Sequence, residues 1–202
     1  MKKFEKLFTA LKYYLIGKNY YNALKALQFA RTHHCGFRKD GSTPEFQHQL
    51  EICMYLMTLK DLENEETVLA TALLHDSIED YDISIEEMET KFGKEVTKCV
   101  WLLTKQYKNQ KKNMDSYFED ISKNPIASLV KGADRIHNVQ SMIGVFSKEK
   151  QIKYIDEVEK CFLPMIKKAK SNFPSQGAAY FNIQHMLTSQ VHLVRAIHED
   201  KK

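Results

Sequence analysis

Only seven glycines and four prolines punctuate the 202 residues of this chain, and the long stretches between them repeat apolar side chains at helical spacing. Such a sequence offers few places for a sheet to turn, so the expected fold is all-α, a bundle of about ten helices with few or no strands. The spacing predicts helices over residues 3–16, 19–34, 45–60, 65–80, 84–92, 94–104, 114–123, 126–146, 149–170 and 177–198. Phe4, Leu7, Phe8, Leu11 and Leu15 form one apolar stripe, and Tyr180, Ile183, Leu187, Val191 and Val194 form another. Both read as core. Ser84 with Glu87 fits a capping box, and Gly93 suits the stop after Phe92. The length suits a single domain, residues 1–202, with one core.

Thirty basic against 26 acidic side chains give a net charge of +4, interspersed along the chain, which favours anionic small molecules mildly and is no mark of a nucleic-acid binder. The one basic run, KQYKNQKK over residues 105–112, reads as a solvated loop. Cys35, Cys53, Cys99 and Cys161 form no CxxC pair, the N-terminus lacks a signal-peptide core, and no window approaches the ~20 apolar residues of a membrane span. The expectation is a cytoplasmic protein with no membrane partner.

Against this background the dipeptide His75-Asp76, inside TALLHDSIED, stands out. Burying an imidazole and a carboxylate without partners is costly, and a metal ion would supply the partner. Glu79 and Asp80 follow one helical turn later, beneath His75 and Asp76 respectively. A solvated acidic helix end is the alternative reading of this segment. Two distant segments add to the pattern. A Gly and Pro loop, Gly41 to Pro44, delivers His48 onto an apolar helix, and Lys131, Asp134, Asn138 and Ser141 recur at helical spacing as one polar stripe in LVKGADRIHNVQSM.

The order His48, His75-Asp76, Asp134 resembles the HD metal-phosphohydrolase superfamily, and the text around it is similar to the hydrolase domain of RelA/SpoT proteins, which degrade (p)ppGpp. RKDG followed by Pro, an aromatic and His48 resembles RKSGEPYxxH; ALLHDSIEDYDIS resembles ALLHDxxEDT; FGKEV and LLTK resemble FGxxV and VTK; KGADRIHNVQSM resembles KxADRxHNMRTL. These blocks span the motif core, residues 29–142, and residues 149–198 read as closing helices. What remains after the HD region, about 55 residues, is short for a separate synthetase domain, so hydrolysis without synthesis is expected.

The resemblance implies a metal shell of His48, His75, Asp76 and Asp134, a mixed nitrogen and oxygen set that suits Mn²⁺. It implies that Glu79 and Asp80 orient or deprotonate the water that removes pyrophosphate from the 3′ position of a small-molecule nucleotide. It also places Arg38 and Lys39 at phosphates, where their alternative is an exposed basic turn, and Lys131, Asn138 and Ser141 beside the nucleotide. His137, His185, His192 and His198 read as structural or exposed. The chain departs from the family in four places, the first being a loop before His48 that is one residue longer than the usual form. AHxGQxRK becomes THHCGFRK, leaving His33 and His34 both open for the histidine place; Gln140 replaces an arginine; Ser141 replaces a threonine. Two other functions fit the same sequence: hydrolysis of another nucleotide, such as (p)ppApp or a 3′-phosphorylated cofactor, and a non-catalytic HD module that binds a nucleotide or a protein.

Overall fold

In the computed structural model, which describes residues 3–81 and 83–199, the chain winds through α1 (Lys3–Gly17), α2 (Tyr21–His33), α3 (Glu45–Leu56), α4 (Glu65–Leu74), α5 (Ser77–Asp80), α6 (Ile85–Phe92) and α7 (Lys94–Leu103). An antiparallel hairpin, β1 (Gln106–Tyr107) and β2 (Gln110–Lys111), leads to α8 (Met114–Ser122), α9 (Pro125–Met142), α10 (Lys148–Glu157), α11 (Leu163–Asn172) and α12 (Gly177–His198). A π-helical turn, Val158–Phe162, joins α10 to α11 without a break. The all-α expectation of about ten helices is met, the two further segments arising where the helices expected over 65–80 and 149–170 are each divided.

Two helices occupy the centre. Every residue from Val68 to Leu74 in α4 is buried, as a helix apolar on all sides requires. The long helix α9 packs against α3, α4, α7, α8, α11 and α12. It starts where the Asn124 side chain accepts the N–H groups of Ile126 and Ala127 and Pro125 fills the first turn. Close packing on α12 is possible because residue 132 is glycine; a Cβ there would stand 2.6 Å from Ile183 Cγ2 and 3.0 Å from Ile166 Cδ1. Leu11 and Leu15 of α1, and the five stripe residues of α12, are buried in the same core, whereas Phe4, Leu7 and Phe8 are half-buried at its edge.

Local chemistry fixes the ends. Ser84 Oγ accepts the Glu87 N–H at 3.0 Å, opening α6. Gly93 at φ +84° both ends α6 and begins α7, a joint that a side chain would strain.

Four expectations need correction. The helix expected over residues 45–60 ends at Leu56, and the chain passes through left-handed Asp61 and Asn64 before α4. The helix expected over 126–146 ends at Met142, where Ile143 turns extended and Gly144 takes φ +77°. The basic run is a two-residue hairpin, not a loop: Lys108 and Asn109 both adopt positive φ, which matches the right-handed twist of the paired strands. Finally, the helix expected over 65–80 breaks at His75-Asp76.

Candidate metal and nucleotide site

The break at His75-Asp76 is where the polar chemistry begins. His75 closes α4 and Asp76 takes φ −97° and ψ −3°, the sparsely populated bridge region in which active-site residues often sit. The Asp76 carboxylate gives no cap to α5; it turns to His75, with Oδ2 at 2.9 Å from Nε2. His75 itself is buried and its Nδ1 lies 2.8 Å from the Ala72 carbonyl. A carbonyl only accepts, so Nδ1 carries the proton of that bond, and in the neutral ring Nε2 is the nitrogen left with the lone pair.

Near that lone pair stand the carboxylates of Asp76 and Asp134 and the imidazole of His48. Nε2 of His75 makes no well-formed hydrogen bond despite its closeness to Asp76, and Asp134 Oδ1 lies 3.8 Å away. His48, buried on α3, brings Nε2 to 3.3 Å from the same Asp134 oxygen. Ligand atoms of His48, His75 and Asp76 all lie within 4.8 Å of one another. A lone pair facing carboxylate oxygens in a buried place is unfavourable unless a positive centre stands between them, so the donor set fits a metal ion. The ionisation of His75 speaks for the same demand: burial opposes charge, but Asp76 and then Asp134 outweigh it and hold the imidazole up at about 9. His48 goes the other way, because burial dominates and lowers it to about 4.

Asp134 stands beside the three-residue cluster with its oxygens engaged. Lys131 Nζ lies 3.1 Å from Oδ2, and Asn138 Nδ2 donates to Oδ1 at 2.5 Å. Burial works against its charge, yet Lys131 more than compensates and keeps the carboxyl well below its usual range. Arg38 continues this chain by donating from Nη2 to Asn138 Oδ1 at 2.6 Å, so the stripe of α9 and the loop before α3 meet in one network.

Every residue assigned from the sequence except His75 lines one cavity of about 700 Å³, with His75 buried at its floor. Asp76, Glu79 and Asp80 form one acidic bank. Burial, followed by the charges of Asp76 and Glu79, pushes Asp80 up to about 6. The cavity is also lined by Arg38, Lys39 and Ser141 and by the apolar side chains of Phe37, Ile143, Val145 and Phe146. Lys39 places its ammonium 5.4 Å from the Phe146 ring centre.

His137, Glu51 and Lys105 are among the side chains at this site that were not assigned from the sequence. His137, expected to be structural, brings Nδ1 to 2.8 Å from Nδ1 of His48, and its Nε2 lies 2.7 Å from Glu51 Oε2. The signal was present: Glu51 follows His48, and His137 follows Asp134, by three residues, which puts each on its ligand's helix face. Lys105, at the root of the hairpin, lines the cavity too, and burial followed by Lys131 lowers its ammonium below the usual range. His33 and His34 differ in burial, and neither lines the cavity. His34 points inward to Gln49 Nε2 at 3.3 Å, while His33 stacks outside on Phe29 at 3.9 Å.

Comparison with known proteins points to one group. Residues 26–117 match the HD domain family. Over 149 residues, 70% of this chain, the sequence is 32% identical to the GTP pyrophosphokinase rsh of Brucella ovis and to a probable guanosine-3′,5′-bis(diphosphate) 3′-pyrophosphohydrolase of Synechocystis sp.. It is 32% identical over 146 residues to the guanosine-3′,5′-bis(diphosphate) 3′-pyrophosphohydrolase of Aquifex aeolicus. The chain spans about a fifth of each of these proteins, 19% for the first two and 20% for the third. A solved structure of a metazoan SpoT ortholog that hydrolyses ppGpp superimposes with a TM-score of 0.65 at 25% identity, covering 85% of this chain and 94% of that one. No helix among the described residues is long and apolar enough to cross a membrane.

Proposed function

We propose that this chain, an HD-domain relative of the RelA/SpoT-type hydrolases, is a Mn²⁺-dependent enzyme that releases pyrophosphate from the 3′ position of (p)ppGpp or a closely related purine nucleotide. The observation that carries the reading is the convergence of His48, His75 and Asp76, with Asp134 beside them, on a cavity whose next helical turn supplies Glu79 and Asp80. His48, His75, Asp76 and Asp134 would hold the ion, and the absence of thiolate from the set favours a harder cation than Zn²⁺. A divalent ion bound there acidifies a coordinated water and offsets charge on a phosphoryl group.

The remaining work falls to the chain's own side chains. Asp80, with a carboxyl near neutrality, is suited to take a proton from the attacking water. Glu79 orients that water from the same bank. Arg38 and Lys39 meet phosphate oxygens, the arginine in a fork and the lysine as a point charge. Lys131 holds Asp134 ionised and faces the phosphates, while Asn138 and Ser141 border the sugar. The apolar lining around Phe146 is of a kind that takes the flat face of a purine. The cavity volume falls in the range of small-molecule sites. In this reading the protein acts in the cytoplasm on a free nucleotide, without a nucleic-acid or membrane partner.

The test is incubation of Mn²⁺-loaded protein with guanosine and adenosine alarmones and with a 3′-phosphorylated cofactor, products being separated by chromatography. Pyrophosphate with GDP or GTP is the expected outcome. Orthophosphate release alone, or no turnover of any of these, overturns the reading.

A further inference from the structure

We propose that Glu51 and His137 are positioning residues that set the proton on His48 and thereby tune the affinity of the metal site; this rests on the metal reading above. His48 is fully enclosed, so a ring nitrogen that is left without a partner is costly, and which nitrogen carries the proton is decided by its neighbours. Its Nδ1 has one partner, Nδ1 of His137 at 2.8 Å. The other nitrogen of His137 meets Glu51 Oε2 at 2.7 Å, and Glu51 is itself held from the far side by Gln47 Nε2, which donates to Oε1 at 3.0 Å.

A carboxylate only accepts, and this fixes the direction of the chain. With neutral rings, His137 must place its proton on Nε2 to donate to Glu51, which leaves its Nδ1 as an acceptor. His48 must then donate from Nδ1, and its Nε2 is left with a lone pair aimed at the cluster shared with His75 and Asp76. The competing arrangement makes His137 an imidazolium that donates to His48, and turns the Nε2–H of His48 toward Asp134 Oδ1 at 3.3 Å. That form offers an ion no lone pair. A cation at the cluster therefore selects the first arrangement, and the first arrangement in turn strengthens His48 as a donor.

The chain also has an outlet. Glu51 and His137 line both the large cavity and a second depression of about 430 Å³ that is also bounded by Tyr55 and Gln140. Glu51 thus keeps contact with solvent, its side chain 25% exposed, which lets a water replace part of its role when it is changed. The larger effect is expected from the histidine.

The experiment measures the dissociation constant for Mn²⁺ alone by electron paramagnetic resonance, together with metal-free melting curves, for wild type, His137→Phe, His137→Gln and Glu51→Gln. Phenylalanine keeps a ring of similar shape against His48 but neither accepts nor donates; glutamine loses the ring but can accept from His48 and donate to Glu51. A proton-setting role predicts Mn²⁺ binding weakened by about 10- to 100-fold in His137→Phe, recovered in large part in His137→Gln, with a smaller loss in Glu51→Gln. A merely structural ring predicts the reverse order, glutamine worse than phenylalanine, and that order, or equal affinities throughout, overturns the inference. Wild-type protein that takes up no Mn²⁺ overturns the metal site itself. Failure of the His137 variants to fold leaves Glu51→Gln, whose isosteric side chain is part-exposed; wild-type affinity in that variant refutes the role of the carboxylate.

Discussion

The backbone N–H of Lys105 donates to Oε2 of Glu79 at 2.7 Å, tying the acidic turn of α5 to the end of α7. Asp80, one residue on, accepts no hydrogen bond from any other of the described residues and sits with its carboxyl pushed up to about 6. One member of the pair is held in place and the other is free to exchange a proton. The pair is therefore expected to divide its labour. Asp80→Asn should lower kcat by about 10²- to 10⁴-fold with Mn²⁺ content intact, as loss of a general base does. Glu79→Gln keeps an oxygen for the Lys105 N–H and should cost less than the lower end of that range. Single-turnover rates and metal analysis on both variants decide this, and equal losses would remove the distinction.

The same carboxyl makes a prediction about stability. Burial and the neighbouring charges raise Asp80 in the folded chain, so the folded state binds its proton more tightly than the unfolded one. By linkage, stability contributed by the protonated form is present below the ordinary carboxylate range and is lost as pH rises through about 6. Asp80→Asn should therefore stabilise metal-free protein at pH 7, and the gain should fade as pH falls toward 4. Because the side chain retains substantial exposure, screening reduces the gain to about 1 kcal/mol or less. Thermal melts of metal-free protein at the two pH values check it; a gain independent of pH would assign the effect to something other than the proton.

Much of this was readable in the residues themselves. Helical spacing placed the rods because α4 and α9 are apolar over long runs, and three separated segments carried candidate ligands whose types agreed with one another. Two kinds of feature escaped. The break at His75-Asp76 arises from a side chain that bonds the Ala72 carbonyl and from a carboxylate that faces inward, neither of which alters the periodicity of the segment. The hairpin after α7 has no glycine, and its turn depends on positive φ at Lys108 and Asn109, a conformation that lysine rarely marks in a sequence. The Glu51–His137 chain needed the crossing of α3 and α9, which no local pattern specifies.

Arg38 and Lys39 are expected to act on substrate rather than on the ion. Arg38 already reaches into the site through Asn138, whereas Lys39 is exposed and rests over Phe146. Changing both to Gln should raise KM by about 10-fold, the worth of one charge-assisted contact, and leave Mn²⁺ content unchanged. The wild-type KM should itself climb between low and high salt as screening weakens these contacts, and the variant should lose much of that dependence. Steady-state kinetics across a salt series provides the check. A double variant with wild-type KM and salt response would shift the phosphate-binding role to Lys105 and Lys131.

Gly132 tests whether the architecture of the site depends on how closely α9 lies against its supports. The position is helical, so alanine would be preferred on local grounds by about 1 kcal/mol. A methyl group there meets Ile183 Cγ2 at 2.6 Å and Ile166 Cδ1 at 3.0 Å, and branched side chains in a full core cannot retreat without moving their neighbours. Overpacking costs about 1–3 kcal/mol, which exceeds the gain in helix propensity, so Gly132→Ala should lower the midpoint of denaturant unfolding. Lys131 and Asp134 flank this position on the same helix, so a displaced α9 should also weaken Mn²⁺ binding. Paired measurement of unfolding and Mn²⁺ affinity separates the outcomes. Lower stability with unchanged affinity would show that α9 tilts without carrying its ligand away, and unchanged stability would mean that Ile183 finds another rotamer and that the close approach is not required.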